Sequence, residues 1–405
     1  MKWLYLAWKN LGRNRRRTLA TLLLTAVAVL GIMALSGFAL YTYESLKEAS
    51  MRKEGQVILS HPEYFQREEN APMELGLDRV QQLQQALQAD PGIDTTLAQI
   101  NFDGLVSNGE KSTIFMGQGV EPESFRRQGP GVDLKQGRWL TPELSPQALP
   151  EVLLGQRLAA SLKVQPGDGL TLLGTTTDGV LNALDVSVRG IISTGIPELD
   201  ARLLKVHLQS AQELLATDQV SQLGVYLQHP HQDESYYQKI RDQYPELGVT
   251  PWHERATFYQ SVRNLYNRIF GVMGVILLVM VGFAIFNTAS MSVMERTREL
   301  GTLAALGTRR REILGLFVQE ALLIGLLGSL LGLLLAGGLS LGLYWVDVQM
   351  PPPPGQTEGY PLYIYWSPWM AGITSLAVVL FAVLAAGLAT LKGINKPIVE
   401  ALNHV

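Results

Sequence analysis

Four stretches of this 405-residue chain carry no charged side chain, and each is long enough to cross a membrane as a helix. They run from Thr18 to Tyr43, Ile269 to Met294, Ala321 to Val346 and Gly359 to Leu391. A bilayer core takes roughly 20 apolar residues of helix. Backbone polar groups in hydrocarbon must be paired within the segment, so such runs fold as helices. Buried helices of a water-soluble core would be shorter and amphipathic. The first stretch follows Arg15, Arg16 and Arg17 but exceeds the apolar region of a signal peptide, about 7–15 residues. It is read as a retained anchor.

Orientation follows from the short segments beside the spans. Lys2, Lys9, Arg13 and Arg15 to Arg17 precede the first span, and Arg296, Arg298 and Arg309 to Arg311 lie between the second and third. Lys392 and Lys396 follow the fourth, whereas Asp347 to Glu358 contains no Lys or Arg. Four spans put the two termini and the second loop on one side, and their basic residues make that side the cytoplasm. The segment from about Glu44 to Arg268 then lies outside, because long domains translocate regardless of charge.

The resulting fold class is an α-helical membrane protein with four transmembrane helices plus a large extracytoplasmic mixed α/β domain containing a β-rich insertion. The expected boundaries are 1–17 for an interfacial amphipathic helix, 18–43 for the first span and 44–267 for the outer domain. They continue as 268–294 for the second span, 295–312 for a cytoplasmic helix and 313–346 for the third span. A short outer loop at 347–360, the fourth span at 361–391 and a tail at 392–405 complete the chain. The N-terminal helix is read from Trp3, Leu4, Leu6, Ala7, Trp8 and Leu11 interleaved with Lys2, Lys9 and Arg13.

Within the outer domain, Leu77, Val80, Leu83, Ala86 and Leu87 share a helical face, and Asp90-Pro91-Gly92 stops that helix. Residues 93–119 alternate as two strands joined at Asn108-Gly109, a hairpin dipeptide. Short strand-like pieces follow at Glu151–Leu154, Gly169–Leu173, Leu184–Ile192 and Leu203–Leu208. Helices are expected at Ser210–Ala216 and Gln232–Gln243, with a strand at Gly224–Gln228 between them. The pattern reads as an α/β module over about 44–124 and 203–267, interrupted by a β-rich insertion at about 125–202.

Catalytic patterns are missing from the sequence. It contains no cysteine, which removes disulfides and thiolate metal sites. It has no G-x-x-x-x-G-K-[ST] run, so no P-loop ATP hydrolysis is assigned to it. His229 and His231 flank a proline in a polar loop and lack companions at metal-ligand spacing. Glu320, at the start of the third span, is read as sitting at the interface or bonding a neighbouring helix rather than as a proton-coupling group. Gly328 and Gly332, and again Gly338 and Gly342, form G-x-x-x-G pairs, marking a helix-packing seam within the chain or between two chains. No repeat or charged midplane cluster supports an ion-coupled secondary transporter.

The second loop carries the most specific pattern. From Met294 to Leu314 it reads MERTRELGTLAALGTRRREIL, a short charged helix, a break at Gly307 and a second helix start. Leu300, Leu303 and Leu306 make an apolar stripe on the cytoplasmic side, which calls for a protein partner.

This segment resembles the coupling region of MacB/FtsX-type ABC permeases, the mechanotransmission transporters. The opening Leu6-Ala7-Trp8-Lys9-Asn10-Leu11, followed by Arg13 to Thr18, resembles the opening of that family, and the topology of one span, a large outer domain and three spans matches. Thr194-Gly195-Ile196 with Leu199-Asp200 is similar to a stretch of the lipoprotein-releasing branch. The resemblance implies a porter-like outer domain. It also implies that Glu295, Arg296, Arg298, Glu299, Leu300 and Gly301, with Leu303, Arg309 and Arg310, dock on a separate ATPase. Two such subunits would bind ATP and Mg, while this chain holds no cofactor. Stalk helices from Tyr43 and into Ile269 would relay the motion outward. A second permease chain, identical or paralogous, membrane lipid and a periplasmic carrier or lipoprotein are the other implied partners, with no nucleic acid. The implied place is the bacterial inner membrane with both termini cytoplasmic. The implied function is extraction of a lipoprotein or amphiphile; the alternative is an FtsX-like signalling scaffold that activates a periplasmic hydrolase.

Overall fold

A computed structural model describes residues 2–13, 15–67, 72–124, 132–142, 148–297, 299–300, 302, 308–350 and 359–394. They form two compact units: a helical one of Met1–Glu44, Ser261–Gln349 and Pro361–Val405, and an α/β one of Ser45–Gln260 and Met350–Tyr360. In chain order the helices used below are α1 (Lys2–Arg13), α2 (Arg15–Glu54), α3 (Val80–Gln88), α4 (Gln156–Leu162), α5 (Pro197–Asp200), α6 (Leu208–Leu215), α7 (Asp233–Gln243), α8 (Trp252–Arg255), α9 (Thr257–Glu295), α10 (Arg310–Val346) and α11 (Pro368–Ile394). The strands are β1 (Val57–Ser60), β2 (Ile93–Ser107), β3 (Ser112–Val120), β4 (Asp133–Gly137), β5 (Glu151–Gly155), β6 (Gly169–Thr175), β7 (Leu181–Ser193), β8 (Leu203–His207), β9 (Gln222–Leu227) and β10 (Gly248–Pro251).

Among the described residues four helices are long and apolar enough to span a membrane: α2, α9, α10 and α11. At 1.5 Å per residue, a helix of 40 residues such as α2 is about 60 Å long, roughly twice a bilayer core. Their mutual core is built from small and branched residues, among them Ala28 and Val29 of α2, Val281 and Ile285 of α9, Ala321 and Ile324 of α10, and Ala382 and Ala386 of α11. Small side chains let helix backbones approach, the main source of association in lipid. At one end Tyr41 packs edge-on to Tyr363 and Tyr365 at 5.3 Å, while Trp345 and Trp369 stay exposed. Such aromatic residues anchor a bundle at the interface. Here the non-helical approach to α11 is tied down, Tyr365 N donating to Gly37 O at 3.1 Å. A Cβ at Gly37 would meet Tyr365 O at 2.5 Å, so a glycine permits the approach.

In the α/β unit the strands run β10-β1-β9-β2-β3-β8-β5-β7-β4, and β6 bonds both β2 and β7. The ladders β2-β3-β8-β5-β7-β6 therefore close back on β2. β2 has 15 residues, and only its first half is covered by β9. Its second half takes β6 instead, pairing Leu105 to Ser107 with Leu173 to Thr171. The segment expected as an insertion, 125–202, is not a separate sheet. β5, β6 and β7 come from that segment, yet they share one sheet and one core with β2, β3 and β8. The hairpin is where Asn108-Gly109 places it, with Ser107 opposite Ser112 and Gly109 at φ 88. α3 begins at Val80 rather than Leu77, because Leu77 is taken into a bridge with Val220.

Candidate functional site

The loop between the second and third spans is held by α1 and by the start of α2. Arg13 Nη2 meets Glu299 Oε1 at 2.9 Å, and Arg17 Nη2 meets Glu295 Oε1 at 2.5 Å. Deeper in, Glu320 of α10 accepts from Asn10 Nδ2 of α1 at 2.5 Å and pairs with Arg296 Nη1 at 3.2 Å. The side chains of Arg296 and Glu320 are only 11% and 13% exposed, so each charge is matched where water is scarce. Arg13 and Glu299, by contrast, are each 56% exposed, and such a pair adds little stability. The Arg13 guanidinium, chiefly by hydrogen bonding, holds the Glu299 carboxyl below the usual carboxylate range.

Among the sequence-predicted docking residues, Glu295, Arg296 and Glu299 thus pair with α2, α10 and α1 respectively. Leu300 is half-buried against the apolar cluster of Val293, Ile313 and Phe317, where α9 ends and α10 begins, so this residue of the stripe packs in part within the chain. Arg309 and Arg310 are exposed at the start of α10, where Arg309 N donates to Glu312 Oε2 at 3.0 Å. Arg298, Gly301, Leu303, Leu306 and the break at Gly307 lie outside the described residues, as do the side chains of Trp3, Leu4, Leu6 and Trp8. Asn10, Arg13 and Arg17 are the site residues that sequence reasoning missed as partners. The opposite charge of Arg13 and Arg17 to Glu299 and Glu295 is visible in the sequence, but nothing local pairs residues almost 300 positions apart.

The glycines of α10 divide. A Cβ at Gly328 would lie 2.7 Å from Thr25 Cβ, and one at Gly332 2.6 Å from Ala26 O. These two therefore pack on α2 of the same chain. Gly338 and Gly342 have nothing within 4 Å. In the other unit, the Thr194-Gly195-Ile196 stretch is shaped by Asp200, buried at 4% exposure. Its carboxylate accepts from Ser193 Oγ, Thr194 N and Thr194 Oγ at 2.7 to 2.8 Å. No group of three or more His, Asp or Glu suited to a metal occurs among the described residues.

Two family descriptions match the chain: the MacB-like periplasmic core domain over residues 18–243 and the FtsX-like permease C-terminal region over 271–398. The chain belongs to this MacB/FtsX family of ABC transporter permeases. It is similar to the lipoprotein-releasing system transmembrane protein LolE of Haemophilus influenzae, 24% identical over 78% of this chain and 75% of that one. LolC of Xylella fastidiosa is 28% identical over 47% of each chain. The macrolide export ATP-binding/permease protein MacB of Nitrobacter winogradskyi is 26% identical over 52% of this chain and 34% of its own length. The chain thus spans less than half of the LolC and MacB relatives. Together with the four spans, these likenesses make it an ABC permease of the bacterial inner membrane.

Proposed function

We propose that this chain is the membrane subunit through which a separate ATPase moves an outer domain, releasing a lipoprotein or similar amphiphile from the outer leaflet of the inner membrane. The observation that carries the reading is the clamping of the α9–α10 loop onto α1, α2 and α10 through Arg13–Glu299, Arg17–Glu295 and the Asn10–Glu320–Arg296 cluster. A loop so tied does not absorb a push by bending alone; it passes the push to the helices that hold it. α2 and α9, each continuous far beyond a bilayer's thickness, are the stalks that relay it. The basic residues beside α1, in the loop and in the tail favour the cytoplasmic side for this face, where ATP is. Mg and ATP belong to the ATPase subunits, two per complex, working on two permease chains. The likeness to LolE and LolC favours a lipoprotein cargo and a periplasmic carrier.

The test is a mild-detergent pull-down of the tagged chain. Wild type is expected to retain a P-loop ATPase, and Glu299→Arg to lose most of it while the membrane fraction stays folded. Undiminished retention in Glu299→Arg would remove this loop as the docking element, and no retained ATPase in wild type would remove the coupling reading.

A further inference from the structure

At the end of the helical unit away from the α9–α10 loop, α10 stops at Asp347, one residue past its last apolar position, Val346. A helix C-terminus carries partial negative charge and favours basic side chains beside it. The last turn of α10 has none, and the loop from Asp347 to Glu358 holds no Lys or Arg. Among the described residues no cation pairs with Asp347, whose carboxylate accepts from Tyr363 Oη at 2.8 Å. One whole and one partial negative charge therefore meet at an exposed residue without a counter-ion from the described residues.

Aromatic rings gather at the same place. The ring of Tyr363 lies 5.3 Å from that of Tyr41, nearly perpendicular to it, and 5.9 Å from that of Tyr344. Tyr344, in the last turn of α10, is 71% exposed, so packing leaves much of its ring open. Ring faces attract cations, the more so where water is scarce. Anchoring at the interface explains exposed rings such as Trp345 and Trp369, but it does not need a carboxylate set against a helix C-terminus. We propose that Asp347, Tyr344 and Tyr363 bind the primary ammonium of an ethanolamine lipid headgroup. Its N–H groups donate to Asp347, the two rings lie beside its charge, and an acyl chain follows exposed Leu341 and Leu334, which share the helix face of Tyr344. A lipid is favoured over a lysine side chain because Asp347 ends the charge-free run from Ala321 to Val346, which sets it at headgroup depth.

The site is tested on the full chain in a maltoside detergent, following the melting temperature as soluble lyso-lipids are added. Lyso-phosphatidylethanolamine is expected to raise it saturably, and lyso-phosphatidylglycerol, which lacks the ammonium, to leave it unchanged. Asp347→Asn keeps the shape and an acceptor for Tyr363. Without lipid it should melt no lower than wild type, since it relieves the helix C-terminus, yet it should bind the ethanolamine lipid about threefold more weakly. Tyr344→Leu should weaken binding by a similar factor, whereas Trp369→Leu, which removes an exposed ring outside the site, should not. Equal stabilisation by the glycerol lipid, undiminished binding in Asp347→Asn, or an equal loss in Trp369→Leu would overturn the proposal. So would stabilisation by a lysine peptide with blocked ends and not by the ethanolamine lipid, which would give the site to a protein partner.

Discussion

Lys205 sits on β8 between Gln118 of β3 and Leu153 of β5, and only 3% of it is exposed. Burial, with a smaller push from Lys53, lowers its pKa to about 7. A lysine in the unfolded chain keeps its proton to about pH 10. Between about pH 7 and about pH 10 the unfolded chain therefore holds a proton that the folded one has lost, and stability rises with pH there. Below about pH 7 both states are protonated and this dependence vanishes. Thermal unfolding of the α/β unit, followed in the full chain across this range, should show the rise in wild type and lose it in Lys205→Met. An unchanged slope in the variant would show that Lys205 is not its source. Nothing in the sequence marks this lysine, because β8 reads as an ordinary apolar strand and its burial depends on which strands flank it.

At the scale of elements, helix pairing in the membrane unit turns on single glycines. Gly332→Val places a methyl-bearing carbon within 2.6 Å of Ala26 O and must part α10 from α2. Overpacking of this kind typically costs about 1–3 kcal/mol. Gly342→Val meets open space. The melting temperature in detergent should fall for the first and hold for the second; equal effects would mean that the α2–α10 contact is not what the glycines serve. The G-x-x-x-G spacing was legible in the sequence, but it is the same for both pairs, and only the neighbouring helix tells them apart. The hairpin at Asn108-Gly109 was legible because a positive φ at Gly109 is a local demand. The closure of β6 onto β2 was not, since Leu105 and Leu173 meet through pairing between strands that lie far apart in the chain.

At the scale of the whole molecule, the four spans and the α/β unit followed from charge-free runs and alternating strands, signals that repeat over many residues and survive local exceptions. The loop motif from Glu295 to Leu314 was equally plain, whereas its anchoring by Asn10, Arg13 and Arg17 arises only when the first and second halves of the chain fold together. That anchoring gives the loop its proposed task of receiving force from an ATPase. Thr302 lies within this loop and is exposed. A photo-crosslinking amino acid placed there, activated in intact cells and followed by identification of the adduct, tests the claim where it is made. The account predicts a covalent adduct with a P-loop ATPase. An adduct with a periplasmic protein, or none with any nucleotide-binding subunit while the chain is folded in the membrane, would contradict it.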